Sequence, residues 1–129
     1  MKAKAPFSDD VLTLLKKSKS FRIRAGTGRH RFIGIWFVVV KDRVFARSWS
    51  VKPDGWYGTF LSEPRGAIQV GKAEIKIRAL SIKNKPLRDA VDRAYLEKYN
   101  TAWELKYAKD LTGEKSRATT VELVASQGN

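Results

Sequence analysis

The 129-residue chain has no cysteine, a single histidine, four prolines and only 13 acidic side chains against 26 basic ones. Without cysteine there is no disulfide and no thiolate chemistry, which fits a reducing compartment. The lone histidine, His30, sits in a loop of positive charge that would depress its pKa. It has no partner at metal-ligand spacing, so any metal centre would have to rest on carboxylates alone. The longest apolar run, residues 32–40, is too short to span a bilayer. The leader MKAKAPFSDD is basic but lacks the apolar segment of a signal peptide. A cytoplasmic protein is therefore expected. Also missing are the Gly-Lys-Ser/Thr of a phosphate-binding loop, the dinucleotide fingerprint and a nucleophile elbow. If the chain is an enzyme, a cofactor must bring the reactive atoms.

What the chain does have is charge of one sign. Its formal net charge is +13. A field of that sign attracts nucleic acid, phosphorylated cofactors, acidic lipid surfaces or acidic partners, and it also serves plain solubility. With 43% hydrophobic residues, the length suits one domain with a real core. We expect a single domain over residues 1–129, with 1–6 and 126–129 flexible.

Hydropathy patterning divides that domain into elements. Ser8 is placed to cap a helix, with Asp9 and Asp10 in its first turn and lysines at its end. Its Val11, Leu14 and Leu15 stripe would lie against a sheet as a lid or plug. Residues 21–24 alternate as a first strand. Residues 32–40 read as a strand buried on both faces, and residues 44–48 return from a turn at Lys41-Asp42. Residues 55–64 suggest one helical turn. Residues 67–70 and 73–80 form a hairpin around Gly71-Lys72. Pro86 opens a longer helix with Leu87, Val91, Ala94 or Tyr95, and Tyr99 on one face, and with Asp89 and Arg93 four apart on another. Thr101 and Glu104 match a capping box for a further short helix. Residues 119–124 make a last strand. Six short strands in hairpin order bury their faces most simply by curling into a barrel, giving an α+β fold.

Candidate chemistry gathers around the central hairpin. The loop Gly26-Thr27-Gly28-Arg29-His30-Arg31 can bring backbone N–H groups and guanidinium forks to an anion, or be a solvated loop. Arg47 shares the Phe45 face of a buried strand, where a charge needs a counter-ion. That counter-ion is either a ligand phosphate or a carboxylate such as Glu63, Glu74 or another. Ser48 follows at once. Trp49 and Trp56 flank a Pro-Asp-Gly turn and could bound a flat ring, with Tyr57 the local hydroxyl. Trp36 reads as core; Tyr95, Tyr99, Trp103 and Tyr107 read as packing residues. No catalytic residue can be named.

The order of these segments resembles a known group. A basic Gly-Arg loop, the hydrophobic hairpin, a strand ending Arg47-Ser48, Asp54-Gly55-Trp56-Tyr57 and Pro64-Arg65-Gly66 come in sequence. The helix 88–95, Lys98-Tyr99 and the ending Arg117-Ala118-Thr119-Thr120 follow. This is similar to a small bacterial family of unknown function in the FMN-binding split-barrel superfamily, and more distantly to deazaflavin-dependent nitroreductases. The resemblance implies a six-stranded antiparallel split β-barrel with peripheral helices and a homodimer. It also implies a phosphate-bearing cofactor, FMN or a deazaflavin, held by Arg29, Arg31, Arg47, Ser48, Trp49, Trp56 and Tyr57. The activity it implies is hydride transfer to a small organic acceptor. The nitroreductases' Asn-Leu segment is replaced here by Gly58-Thr59-Phe60-Leu61, and the Ser-Gly pair that follows their Gly-Arg by His30-Arg31. Two other readings stand beside it: a basic nucleic-acid-binding barrel, supported by seven cations and no acid between Lys16 and Arg31, and a cofactor-less dimeric interaction protein.

Overall fold

The computed structural model describes residues 7–28 and 31–126. Six strands close into an antiparallel barrel in the order β1-β2-β3-β6-β5-β4. They are β1 Ser20–Ala25, β2 Ile33–Val40, β3 Arg43–Ala46, β4 Arg65–Val70, β5 Ala73–Ser81 and β6 Val121–Ala125. Five helices surround them: α1 Asp9–Lys17, α2 Trp56–Ser62, α3 Lys85–Lys98, α4 Ala102–Asp110 and α5 Glu114–Arg117. The expected α+β split barrel is what the chain forms. α5 went unforeseen, and α2 is longer than the single turn expected.

Turn chemistry closes the hairpins. Lys41 and Asp42 both have positive φ (51° and 64°), which supplies the twist that a two-residue hairpin needs. Gly71, at φ 58°, does the same between β4 and β5. α1 lies across this end of the barrel: Leu14 packs against Gly71, Lys16 pairs with Asp42 at 2.6 Å, and Leu15 is fully buried in the barrel core. The plug expected from the sequence is therefore real. Ser8 caps it through the Val11 N–H. The opposite rim is formed by the ends of β1, β3 and β5 and the starts of β2, β4 and β6. α2 joins β3 to β4 there and packs Trp56, Tyr57 and Phe60 onto the core.

The second core lies outside the barrel, where Val38 and Phe45 meet Val91, Tyr95 and Tyr99 of α3, together with Ala108 and Leu111. Two tyrosines one turn apart on α3 repair the sheet at this point. β1 and β2 pair as far as Ser20 opposite Trp36, so the next rung would join Lys19 to Phe37. The Tyr99 hydroxyl stands there instead, accepting from the Phe37 N–H at 3.1 Å and donating to the Lys19 carbonyl. Lys98 Nζ satisfies the Phe37 carbonyl at 2.9 Å. On the other side, β2 and β3 pair as far as Phe37 opposite Ala46, and the next rung would join Trp36 to Arg47. The Tyr95 hydroxyl accepts from the Arg47 N–H at 3.1 Å and donates to the Trp36 carbonyl at 3.2 Å. Where the strands splay on both sides of β2, the two hydroxyls thus take the place of the missing rungs.

Tyr95→Phe and Tyr99→Phe keep the rings but orphan the buried N–H of Arg47 and Phe37 respectively. Each is expected to lower stability by about 1–3 kcal/mol. Urea denaturation measures the loss, and amide hydrogen exchange should quicken at the orphaned position.

Candidate functional site

Of the residues expected to hold a ligand, Arg29 lies outside the described residues, as does His30. The others separate into three places.

The first is the interior. Arg47 is 1% exposed, and its guanidinium is spent on the protein. Nε donates to Thr120 Oγ1 at 2.8 Å, and Nη1 to Asp92 at 2.5 Å and the Leu111 carbonyl at 2.8 Å. Nη2 donates to the Arg88 carbonyl at 2.9 Å. Burial pulls its pKa down, opposed by the hydrogen bond and charge of Asp92; a guanidinium stays protonated regardless. The Leu111 carbonyl is the C-terminal cap of α4, where the helix dipole favours a cation. Asp92 also binds Arg117, which pairs with Asp89 at 3.1 Å, and Asp89 pairs with Lys85 at 3.1 Å. Charges therefore alternate from the sheet outward across α3. The counter-ion of Arg47 is a carboxylate, neither Glu63 nor Glu74 but Asp92, and no donor is turned toward a ligand phosphate. Asp89 is engaged with Lys85 and Arg117.

Ser48 belongs to the same interior. Its N–H donates to Thr119 Oγ1 at 2.8 Å, and its hydroxyl closes a local turn by donating to the Ser50 carbonyl at 2.6 Å and accepting from the Ser50 N–H at 3.0 Å. The segment 116–120 thus clamps positions 47 and 48 through Thr119 and Thr120. In this structure the Ser48 hydroxyl, expected beside a phosphate, closes the turn with Ser50.

The second place is the barrel mouth. A cavity of about 210 Å³ opens between the end of β1, the start of β2 and α2. It is lined by Ile23, Ala25, Arg31, Ile33, Asp54, Gly55, Trp56 and Thr59. Here the fold brings together two of the expected residues, a cation and an indole, with an apolar floor and the Thr59 hydroxyl. Trp56 is fixed edge-to-face on Phe60, at 5.9 Å between ring centroids. Tyr57 packs beside it but does not line the cavity; its hydroxyl points to the Ala118 carbonyl at 3.4 Å. Thr59 carried no signal in the sequence, because nothing marked α2 as more than one turn.

The third place is the outer face of β2. Trp49 does not join Trp56 across the turn. It stands against Trp36, at 5.6 Å and 64°. Trp36, expected in the core, is half-buried on this face and stacked on Tyr99 at 3.9 Å. Lys98 Nζ lies 3.6 Å from the Phe37 ring centroid. Burial, with Lys19 nearby, lowers its pKa to about 8. Among the described residues no group of His, Asp and Glu is placed to hold a metal ion, and no helix is long and apolar enough to cross a membrane.

Comparison with known proteins fits this architecture. The model of the family described as "Uncharacterized protein conserved in bacteria (DUF2255)" matches residues 12–123. The chain belongs to that family. No curated protein matches it. Among solved structures, a conserved hypothetical protein of Mycobacterium tuberculosis superposes with a TM-score of 0.63 at 13% identity, over 98% of this chain and 86% of that one. An FAD-binding protein of Mesorhizobium loti gives 0.60 at 17% identity, over 94% and 91%. A "Putative Pyridoxamine 5'-phosphate oxidase" of Listeria innocua gives 0.58 at 13%, over 94% and 93%. At these identities the likeness is one of fold. That fold is the closed six-stranded barrel with peripheral helices described above.

Two outcomes follow from the electrostatics. Asp92→Ala leaves the Arg47 cation buried without its carboxylate and should cost about 3–5 kcal/mol in chemical denaturation. Arg47→Lys should not restore the wild-type value, since an ammonium lacks the planar fork. For Lys98 the folded pKa is about 8, below the ordinary lysine value of 10.5, so between these values the unfolded chain holds more protons than the folded one. Stability from this group therefore rises with pH across that window. The difference in stability between wild type and Lys98→Met should shift in favour of wild type from pH 8 to 10, and stay level from pH 6 to 7.

Proposed function

We infer that the chain is a flavin-binding barrel whose cofactor, FMN or a deazaflavin, is seated at the mouth cavity. The observation that carries this reading is the meeting of Arg31, Trp56 and the Thr59 hydroxyl over an apolar floor at one rim. A cofactor of this kind needs a cation for its phosphate, a flat apolar surface for its ring and few competing acids. Arg31 is the residue for the phosphate, Trp56 the surface for the ring, and Thr59 a hydroxyl able to bond either. Asp54 is the one acid on the lining and sets a limit on where negative charge can lie. The volume takes the phosphate and part of the chain behind it, so the ring system lies across the rim toward solvent. The fold likeness to a protein named as FAD-binding supports the reading without fixing the cofactor.

Bound there, the cofactor would supply hydride chemistry toward a small organic acceptor. The contribution of the chain is then to bind and orient. Arg31 fixes one end, Trp56 excludes water from one face, and the clamp at positions 47, 48, 119 and 120 holds the segment that leads into α2. Arg47 acts at a distance through that clamp and touches no ligand.

This division of roles gives the test. Titration of the purified protein with FMN, followed by flavin fluorescence, should show binding that Arg31→Ala weakens by about tenfold or more, the value of a charge-assisted hydrogen bond. Trp56→Ala should weaken it without loss of fold. Arg47→Ala should lower the melting temperature in the absence of any flavin. Absence of binding by wild type at millimolar FMN and at millimolar deazaflavin would sink the reading.

A further inference from the structure

A row of aromatic rings crosses the outer face of β2 and α4, away from the barrel mouth. Trp49 meets Trp36 at 5.6 Å, Trp36 meets Trp103 at 6.3 Å and 58°, and Trp103 meets Tyr107 at 6.1 Å and 72°. The first ring of α4 and its neighbour one turn on were expected to be buried packing, yet Trp103 is 64% exposed, Tyr107 43% and Trp49 39%. Four large rings rarely stand in contact at a surface without an occupant. The row is rigid where it matters, because Trp36 is stacked flat on the buried Tyr99.

Cations accompany the rings. Lys19 Nζ lies 4.9 Å from the Tyr99 centroid and Lys106 Nζ 5.9 Å from that of Tyr107. Glu104, between Trp103 and Tyr107 in sequence, is 8% exposed and already paired with Lys19 at 3.4 Å. Beyond Trp36 the strand surface stays open: Gly34 has nothing within 4 Å of where a side chain would start, and Arg22 is its neighbour across the β1–β2 ladder. Arg24, next outward on β1, holds its guanidinium over the Phe32 ring at 4.7 Å.

We propose that this face binds single-stranded nucleic acid, with bases stacking on Trp49, Trp103 and Tyr107 and the phosphate backbone following Lys106 and Arg22. Exposed rings of different tilt accept successive unpaired bases, and interleaved cations track the backbone between them. A duplex hides its base faces and cannot use the row. A second copy of the chain would set Lys106 and Arg22 against their own counterparts, in a molecule already carrying +13. The basic run that begins at Lys16 is partly spent on ion pairs. Lys16 is taken by Asp42 and Lys19 by Glu104, so the argument rests on the rings and on the outward cations of β1.

Fluorescence anisotropy with a labelled oligothymidylate, and with a duplex of the same length, tests this on the full chain. Wild type should prefer the single strand. Trp103→Ala and Tyr107→Ala, both at exposed positions and therefore expected to keep the wild-type melting temperature, should each weaken it by about fivefold or more with an unchanged salt slope. Lys106→Ala should reduce the slope of log affinity against log salt by about 0.7. Equal affinity for duplex and single strand overturns the proposal, as does wild-type binding by the Trp103 and Tyr107 variants. So does a sedimentation dimer that Trp103→Ala dissociates, which would assign the rings to a second copy. The measurement needs no flavin, so its failure leaves the mouth cavity untouched.

Discussion

A guanidinium at 1% exposure is the constraint around which this barrel is arranged. An isolated cation in that position would be far too costly to keep, and Arg47 is tolerated because three separate segments turn acceptors toward it. These are α3 through Asp92 and the Arg88 carbonyl, the end of α4 through Leu111, and the residue that leads into β6, Thr120. Each acceptor fixes the position of the element that carries it. Replacement by packed apolar side chains could match the stability of such a site. What the buried charge adds is direction, because a fork of donors accepts only one relative placement of the helices around it.

That placement reaches the rim. The clamp of Thr119 on the Ser48 backbone and the turn closed by the Ser48 hydroxyl set the path of residues 49–55. The same path delivers Trp56 to the barrel mouth and Trp49 to the outer face. One segment thus supplies an indole to each of two surfaces on different sides of the sheet. The two tyrosines of α3 complete the arrangement, since their hydroxyls replace the ladder rungs lost where β2 parts from β1 and β3. The barrel opens at that point without an edge left for another strand to pair with.

Much of this was legible in sequence, and for local reasons. Alternation marked β5, the Thr101–Glu104 box marked α4, and Ser8 with its two aspartates marked α1. The resemblance of ordered motifs carried the barrel itself. What failed to show was long-range partnership. Arg47 and Asp92 are 45 residues apart, and no spacing rule joins a strand-end arginine to the outer turn of a later helix. The motif Arg117-Ala118-Thr119-Thr120 was visible as a pattern, but its function as a clamp on Ser48 is a tertiary fact. Trp103 and Tyr107 were misread for a related reason. Their four-residue spacing says that they share a helix face, not whether that face meets the core. α4 buries Glu104 and Ala108 instead, one position further round.

The same rotation of α4 bears on where the positive charge of the molecule can act. Cations tied into ion pairs contribute little to a distant field, and among the described residues these include Arg43 with the buried Glu122, Arg65 with Glu63, and the Arg47–Asp92–Arg117–Asp89 chain. The outward residues of β1, Arg22 and Arg24, and those of β5, Lys76 and Arg78, lie on either side of β4 with Glu74 as the acid among them. A surface built this way concentrates potential on one side of the barrel. Because α4 turns Glu104 inward and Trp103 and Tyr107 outward, the side that attracts anions continues into a row of exposed rings. The mouth cavity, by contrast, brings one arginine and one aspartate, Arg31 and Asp54, to a lining that also holds Ile23, Ala25 and Ile33.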